Sequence, residues 1–216
     1  MRVEYKVGDT MKLQEALTEL RKQEKRKFEQ SVDLIVNLKG IDVKKESINF
    51  VASLPHKIKD KKVCAFLKEK SNVVPTVTEV EFIKYKDKKT IKKFVQKYDF
   101  FIASAPLMPK VASTFGKVLG PAGKMPSPQL GILTQENEKE IKNVIEKISR
   151  SVKVRVKEAS IKIMIGKENV SDSELEANAR AVYHAVENAL PKKKENVRNV
   201  MIKFTMTKAI RVEVER

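Results

Sequence analysis

The segment FGKVLGPAGKMPSPQLG, residues 115–131, holds four of the seven glycines and three of the eight prolines in a chain of 216 residues. Glycine permits positive φ and close backbone approach, whereas proline fixes φ and ends helices. The segment is therefore expected to form an ordered, sharply turning loop with lysines at its tips, suited to a polar ligand or partner. The loop residues that form this candidate site are Gly116, Lys117, Gly120, Pro121, Gly123, Lys124, Met125 and Pro126.

A nucleotide-binding loop is the main alternative for this segment. A Walker loop needs a hydroxyl residue after its Gly-Lys pair, but Gly123-Lys124 is followed by Met125, and Val118 stands where the first glycine belongs. The dinucleotide fingerprint also fails, because no glycine stands two residues after Gly116. A nucleotide-dependent enzyme that modifies RNA and uses this loop stays open as the alternative function.

The charge balance favours a polyanionic partner. The chain has 45 Lys and Arg against 28 Asp and Glu, a net charge of +17 and a pI near 9.8. Such an excess suits phosphate neutralisation on a nucleic acid, although a membrane-surface protein or a general basic chaperone would also carry it. We expect a soluble, intracellular protein with no membrane partner, because the chain has no run of 18 apolar residues and no signal-peptide pattern.

No catalytic or metal-binding constellation is visible. The single cysteine, Cys64, rules out an internal disulfide and is expected to be a small buried hydrophobe. The two histidines, His56 and His184, lack the neighbouring acids or thiols that metal sites and catalytic triads require. We therefore expect no catalytic residue, no metal site and no cofactor.

Hydrophobic periodicity predicts two domains. Alternating strands at both ends of the chain indicate an α+β domain, and two short, continuously apolar strands with a charged helix between them indicate a parallel α/β arrangement in the middle. The expected fold is an α+β domain built from both termini, residues 1–59 and 155–216, interrupted by an inserted α/β domain, residues 60–154. The predicted helices cover about 11–27, 90–98, 106–118, 134–150 and 171–190, and the predicted strands 31–38, 48–54, 63–67, 99–103, 152–156, 161–165, 200–206 and 209–214.

Four separated segments resemble one family in the same order along the chain. They are KFEQSVDLIVNLKGID from Lys27, VASLPH from Val51, VLGPAGKMPSP from Val118 and FTMTKAIRVEV from Phe204. Together they are similar to the archaeal type of the ribosomal protein L-one family, the large-subunit stalk proteins. The resemblance implies a terminal domain that grips ribosomal RNA and an inserted Rossmann-like domain that carries the glycine-proline loop.

The resemblance also implies partners. They are large-subunit ribosomal RNA of the mobile stalk, the exit-site tRNA whose release the family assists, and the protein's own messenger RNA, which relatives often repress. A cytoplasmic, ribosome-associated protein that is monomeric when free is expected. Carried over position by position, the RNA-binding residues are Lys27, Phe28, Ser31, Gly166, Lys167, Asn199, Lys203, Thr205, Met206 and Thr207.

The chain departs from the family pattern at two positions. Thr207 stands where the family has a glycine after Thr-Met, and its added Cβ is expected to hold the RNA farther from the backbone. Ala122 stands where many relatives have a basic residue, which predicts a weaker electrostatic hold on any partner of the loop.

Overall fold

The computed structural model describes residues 10–23, 26–42, 48–85, 87–128, 130–156 and 158–214. Contacts divide the chain into two compact units, Met1–Lys59 with Arg150–Arg216, and Asp60–Ser149. This division falls after residue 149, before the predicted boundary after residue 154, because the strand from Ser151 to Arg155 pairs with a strand of the first unit. Each unit has its own hydrophobic core.

The regular elements within these residues are numbered in chain order. The strands are β1 (Met11–Lys12), β2 (Ser31–Leu38), β3 (Asn49–Ser53), β4 (Val63–Leu67), β5 (Thr76–Thr78), β6 (Phe100–Ser104), β7 (Ile132–Leu133), β8 (Ser151–Arg155), β9 (Ser160–Lys167), β10 (Val197–Phe204) and β11 (Ile210–Glu213). The α-helices are α1 (Leu13–Arg21), α2 (Lys88–Lys97), α3 (Met108–Leu119), α4 (Glu138–Ser149) and α5 (Asp172–Ala189). Short 3-10 segments cover Glu79–Tyr85, Ala105–Leu107 and Lys193–Asn196. None of the described helices is both long enough and apolar enough to cross a bilayer.

The first unit is built on a sheet in the order β1-β11-β10-β2-β9, antiparallel except for the β1 and β11 pair. The predicted alternation along β2 is confirmed, since Val32, Leu34, Val36 and Leu38 are buried and the residues between them are partly exposed. On the buried side, α1 contacts β10 and β11, while α5 contacts α1 and β9. A separate ladder of β3 with β8 also packs against α5.

The first helix is shorter than predicted. Its apolar stripe is buried as expected, but α1 begins at Leu13 and ends at Arg21 rather than spanning residues 11–27. Met11 and Lys12 extend instead and pair with β11, because a parallel partner for that edge strand satisfies backbone groups that a first helical turn would leave free.

The second unit contains a four-stranded parallel sheet in the order β5-β4-β6-β7. The predicted parallel arrangement is confirmed, and all five residues of β4 are buried, as a strand covered on both faces requires. Aromatic rings fill the core: Phe66 stacks on Phe101 with centroids 5.6 Å apart, and Phe115 lies 5.0 Å from Phe66 and 5.2 Å from Phe82. The edge strands β5 and β7 were not predicted, because they are only three and two residues long.

Cys64 lies on β4 with no exposed surface, as predicted. Burial is the main reason that the pKa of its thiol rises to about 12. The thiol is therefore protonated at neutral pH and behaves as a core residue rather than as a nucleophile.

The glycine-proline loop differs from its prediction in where it turns. Helix α3 continues through Gly116, and Gly120 ends it with φ −59°, so neither glycine uses positive φ. The helix persists because Val111, Phe115 and Leu119 form a buried stripe through this stretch. Positive φ occurs at Gly123 and Gly131, with values of +70° and +112°.

Lys124 is a structural residue of this loop and not a free cationic tip. Its ammonium donates hydrogen bonds to the backbone carbonyls of Val95 and Tyr98, at 2.9 and 2.6 Å. These carbonyls belong to the end of α2, where a positive charge also complements the helix dipole. Met125 packs on the core and Pro126 is buried, whereas Lys117 is exposed on α3.

The position of the loop in the sheet argues against the nucleotide alternative. The loop joins α3 to β7 and therefore lies at the edge where the parallel strands begin. Open parallel sheets bind nucleotides at the opposite edge, where the strands end. The segments that follow β4, β6 and β7 contain no glycine within eight residues that could form a phosphate cradle.

A pair of lysine substitutions distinguishes a structural loop from a ligand loop. Lys124→Met removes two charge-assisted hydrogen bonds and is expected to lower the free energy of unfolding by about 1–3 kcal/mol. The matched control Lys117→Met, on the exposed side of α3, is expected to change it by less than about 0.5 kcal/mol. Chemical denaturation of both variants measures the difference, and equal stabilities would show that Lys124 does not hold the end of α2.

Candidate nucleic-acid interface

Residues carried over from the family lie together at one end of the five-stranded sheet. Ser31 begins β2 and stands opposite Lys167, the last residue of β9. The backbone N–H of Ser31 donates to the Thr205 hydroxyl at 3.0 Å, and the Thr205 N–H donates to the Ser31 carbonyl at 3.0 Å. This reciprocal pair joins the start of β2 to the turn after β10.

Gln30 also joins the chain segments at this end of the sheet, and the sequence analysis did not predict it. Its side chain is 2% exposed, and its Oε1 accepts a hydrogen bond from the Met206 N–H at 3.1 Å. Its backbone carbonyl accepts from the Glu168 N–H at 2.9 Å. A signal was available, because Gln30 continues the phase of the buried residues of β2 and is polar at a buried position.

Two large apolar side chains project from this end into solvent. Phe28 is 52% exposed and Met206 is 59% exposed, although both residue types are usually buried. Phe28 lies in the loop before β2 rather than on the strand, and Met206 lies in the turn at residues 205–207 rather than on β10. Exposed apolar faces beside polar groups are what ribose and base packing requires.

Two of the charged groups beside them, Lys167 and Glu29, are paired with each other. The Lys167 ammonium forms an ion pair with Glu29, whose other carboxylate oxygen accepts a hydrogen bond from the Asn169 side-chain amide at 2.7 Å. Glu29 was not predicted, and nothing local in the sequence indicates a contact across 138 residues. Lys27 is exposed in the loop before β2.

Gly166 is packed against the core and does not lie on an exposed surface. It lies inside β9 and not after it, next to a register shift where Val32 faces Gly166 and Asp33 faces Met164. The shift turns Gly166 toward the core, so a Cβ placed there would stand 2.5 Å from Cδ2 of Leu175 in α5. Gly166 is buried and therefore acts on this surface through packing.

Thr207 is accommodated without backbone strain. Its hydroxyl accepts a hydrogen bond from the Phe204 N–H at 2.9 Å, and its own N–H donates to the Phe204 carbonyl at 3.1 Å. Its φ is not positive. The threonine therefore closes the turn that ends β10 early, which explains why Thr205 and Met206 lie beyond the strand.

The remaining predicted residues lie on the open face of the sheet. Lys203 stands opposite Asp33, and burial raises the pKa of that carboxyl while the lysine charge opposes the rise. Asn199 accepts a hydrogen bond from the Asn37 side chain at 2.6 Å. Asn199 is six residues from Thr205 along an extended strand, roughly 20 Å away, so it lies outside the cluster at the sheet end.

The cluster carries groups that suit recognition of a polar partner. It combines hydroxyl and backbone polar groups, two exposed apolar faces and lysines, which is the mixture used to contact RNA sugars, bases and phosphates. Within the part of the chain that the structure describes, no three His, Cys, Asp or Glu side chains come together in a way that could hold a metal ion.

Two glycine substitutions test whether the bulge in β9 is packed. Gly166→Ala is expected to lower the free energy of unfolding by about 1–3 kcal/mol, because the added Cβ overpacks against Leu175. The control Gly116→Ala adds a Cβ with no atom within 4 Å and should raise stability by about 0.5–1 kcal/mol. Denaturant unfolding measures both, and a neutral Gly166→Ala would contradict the packing.

Comparison with known proteins places the chain in a family. The sequence profile described as "Ribosomal protein L1p/L10e family" matches residues 20–208. The large ribosomal subunit protein uL1 of Thermococcus kodakarensis is 34% identical over 218 residues, covering 95% of this chain and 98% of the relative. The uL1 proteins of Archaeoglobus fulgidus and Cenarchaeum symbiosum are each 35% identical, over 220 and 193 residues, covering 95% and 85% of this chain and 99% and 87% of the relatives.

These matches run through both units and include the turn after β10 up to Lys208. The archaeal relatives agree with the archaeal type that the four resembling segments predict. The chain therefore belongs to the ribosomal protein L1p/L10e family.

Proposed function

We propose that this chain is a structural, non-enzymatic protein of the large ribosomal subunit that binds ribosomal RNA of the mobile stalk through the sheet end of its first unit. The observation that carries the proposal is the exposure of Phe28 and Met206 beside the hydrogen-bonded group of Gln30, Ser31 and Thr205. A net charge of +17 supplies the attraction to phosphates. A ribosome-associated place in the cytoplasm follows from this role.

The contact residues that we propose fall into two groups. Phe28 and Met206 pack on ribose or base faces, while the Thr205 hydroxyl and backbone groups of the turn meet 2′-hydroxyls and base edges. Lys27, Lys167 and Lys203 meet phosphates, with Lys167 exchanging its Glu29 partner for an anionic oxygen. Gly166 and Thr207 shape this surface, and Asn199 contributes only to an RNA that extends along the open face of the sheet.

The proposed domain organisation assigns one role to each unit. The first unit is the RNA-binding α+β domain formed from both ends of the chain, and the second is the inserted Rossmann-like α/β domain. Parallel strands with buried faces in the second unit and alternating strands in the first support this assignment. The free protein is proposed to be a monomer.

Two finer roles rest on the family resemblance. The protein would assist release of the exit-site tRNA, and it would repress its own messenger RNA. Repression needs no second site, since a messenger that copies the stalk fold would compete for the same Phe28 and Met206 surface. If the protein represses its own messenger RNA in this way, the messenger and the ribosomal RNA fragment are expected to compete for one site.

Site-specific substitutions with an RNA pair test the proposal. Phe28→Ala is expected to weaken binding of a stalk ribosomal RNA fragment by about 5- to 100-fold, because a stacked base contributes about 1–3 kcal/mol. The matched control Ile83→Ala removes an apolar side chain of the second unit that is 66% exposed and should change affinity less than about 2-fold. Titrations across a salt series, with a scrambled hairpin of equal length, give both affinity and preference.

Thr205→Val completes the test, since it keeps the side-chain shape and removes the hydroxyl that Ser31 uses. We expect a reduced preference for the stalk fragment, with thermal unfolding measured in parallel to separate lost contacts from lost structure. Equal binding of both RNAs, unaffected by Phe28→Ala or Thr205→Val, would contradict the proposed site.

A further inference from the structure

Helix α2 of the second unit presents a basic outer face without acidic residues. Over its ten residues the helix contains no Asp or Glu. Ile91 and Val95 are buried against the core, and the side facing away from them carries lysines, with Thr90 and Gln96 as the uncharged exposed positions. The basic face consists of Lys88, Lys89, Lys92, Lys93 and Lys97, all exposed.

Four of these lysines are placed where they weaken the helix, whereas Lys97 lies in the last turn and complements the helix dipole. Lys88 and Lys89 lie in the first turn, where the helix dipole favours negative charge, and that turn holds no acidic residue. Spacings of four residues bring Lys89 next to Lys93, and Lys93 next to Lys97, so like charges repel along the face. A surface that served only solubility would not need this arrangement.

Acidic residues flank the basic face without balancing it, since exposed Asp87 at the N-cap of α2 and Asp99 after its end are two charges against five. In the adjoining 3-10 segment, Glu79 pairs with Lys110 and Glu81 pairs with Lys70. Among the residues described, none of the five lysines of the basic face takes part in an ion pair. The charge is therefore available to an external anion.

Composition alone does not explain the basic face. Helix α4 of the same unit has a similar length and interleaves acids with its lysines, as EKEIKNVIEKIS shows. Its Glu138 and Glu140 lie in the first turn, as the dipole favours. The two helices thus share a unit and an amphipathic pattern but differ in charge arrangement.

The lysine ammonium groups of the basic face are best suited to a phosphodiester backbone. The face has no aromatic side chain for base stacking, and lysine ammonium groups meet phosphate oxygens without reading sequence. A bilayer surface is a poorer partner, because an interfacial helix inserts its apolar side, and that side of α2 is buried in the core through Ile91 and Val95.

We infer that the basic face of α2 is a second RNA-binding surface, which contacts the phosphate backbone independently of sequence. This inference rests on the proposed function in that it takes RNA as the physiological polyanion. It assigns to the second unit a contribution to affinity, whereas the sheet end of the first unit supplies preference for one RNA.

Charge-matched triple substitutions in the full chain test the inference. Lys89→Gln with Lys93→Gln and Lys97→Gln removes three charges from α2, and glutamine keeps the helix propensity. Lys139→Gln with Lys142→Gln and Lys147→Gln removes three exposed charges from α4 as the control. Affinities for the stalk fragment and the scrambled hairpin are measured between about 50 and 300 mM salt, with circular dichroism to check folding.

The α2 triple variant is expected to bind both RNAs about 10-fold or more weakly at about 150 mM salt, with the slope of log affinity against log salt reduced by about 2 and the preference between RNAs unchanged. The α4 control should reduce the slope by less than about 1. Equal effects of the two triples, or no effect of the α2 triple, would overturn the inference. The inference would also be overturned if the α2 triple variant lost binding to phosphatidylserine vesicles but kept its affinity for both RNAs.

Failure of this inference is distinguishable from failure of the proposed function. If the inference fails, the α2 triple variant keeps the wild-type slope of log affinity against log salt. If the proposed function fails, Phe28→Ala keeps the wild-type ratio of affinities for the stalk fragment and the scrambled hairpin. Either result can occur without the other.

Discussion

The hydrogen bond from the Met206 N–H to the buried side-chain oxygen of Gln30, 3.1 Å long, joins two pieces of chain that are 176 residues apart. Gln30 cannot leave this contact without cost, because an unpaired amide at a buried position loses its hydration. The turn at residues 205–207 is thereby fixed against the start of β2. Met206 lies on this anchored turn and is 59% exposed.

The strand β2 connects this contact to the rest of the first unit. It lies between β10 and β9, so the Ser31 and Thr205 pair on one side and the Ser31 and Lys167 register on the other are set by one alternating strand. The core beneath holds the alternation in place, because a slip of one residue would expose Val32 and Leu34. The proposed RNA surface is thus preformed by packing, which lowers the ordering cost of binding.

The lysines of this chain have distinct physical roles that net charge does not reveal. Lys124 holds the carbonyl end of α2, and Lys167 is paired with Glu29. The basic face of α2 is unpaired among the described residues. Attraction to RNA therefore depends on which lysines are exposed and unpaired, and a count of 45 Lys and Arg overstates it.

Sequence reasoning predicted most elements that have a strong internal pattern. The alternation of β2 and the continuous burial of β4 are local signals that the folded structure retains. Gln30 could have been predicted in the same way, because it is a polar residue at a position where the alternation of β2 predicts burial.

Other features depend on contacts between distant residues and had no local signal. The short strands β5 and β7 exist because neighbours pair with them. The helix predicted over residues 106–118 is carried to Leu119 by the buried stripe of α3, and positive φ in the glycine-proline loop occurs at Gly123 and Gly131. Most residues carried over from the family lie on neighbouring strands and turns at one sheet end, whereas the burial of Gly166 follows only from the register shift and its contact with Leu175.

Ultraviolet cross-linking of the full chain to a stalk ribosomal RNA fragment, with mass spectrometry of the linked peptides, tests the central claim most directly. The account predicts nucleotide adducts on Phe28 and Met206, at the end of the sheet in the first unit. Adducts confined to the glycine-proline segment at residues 115–131, with none on Phe28 or Met206, would contradict it.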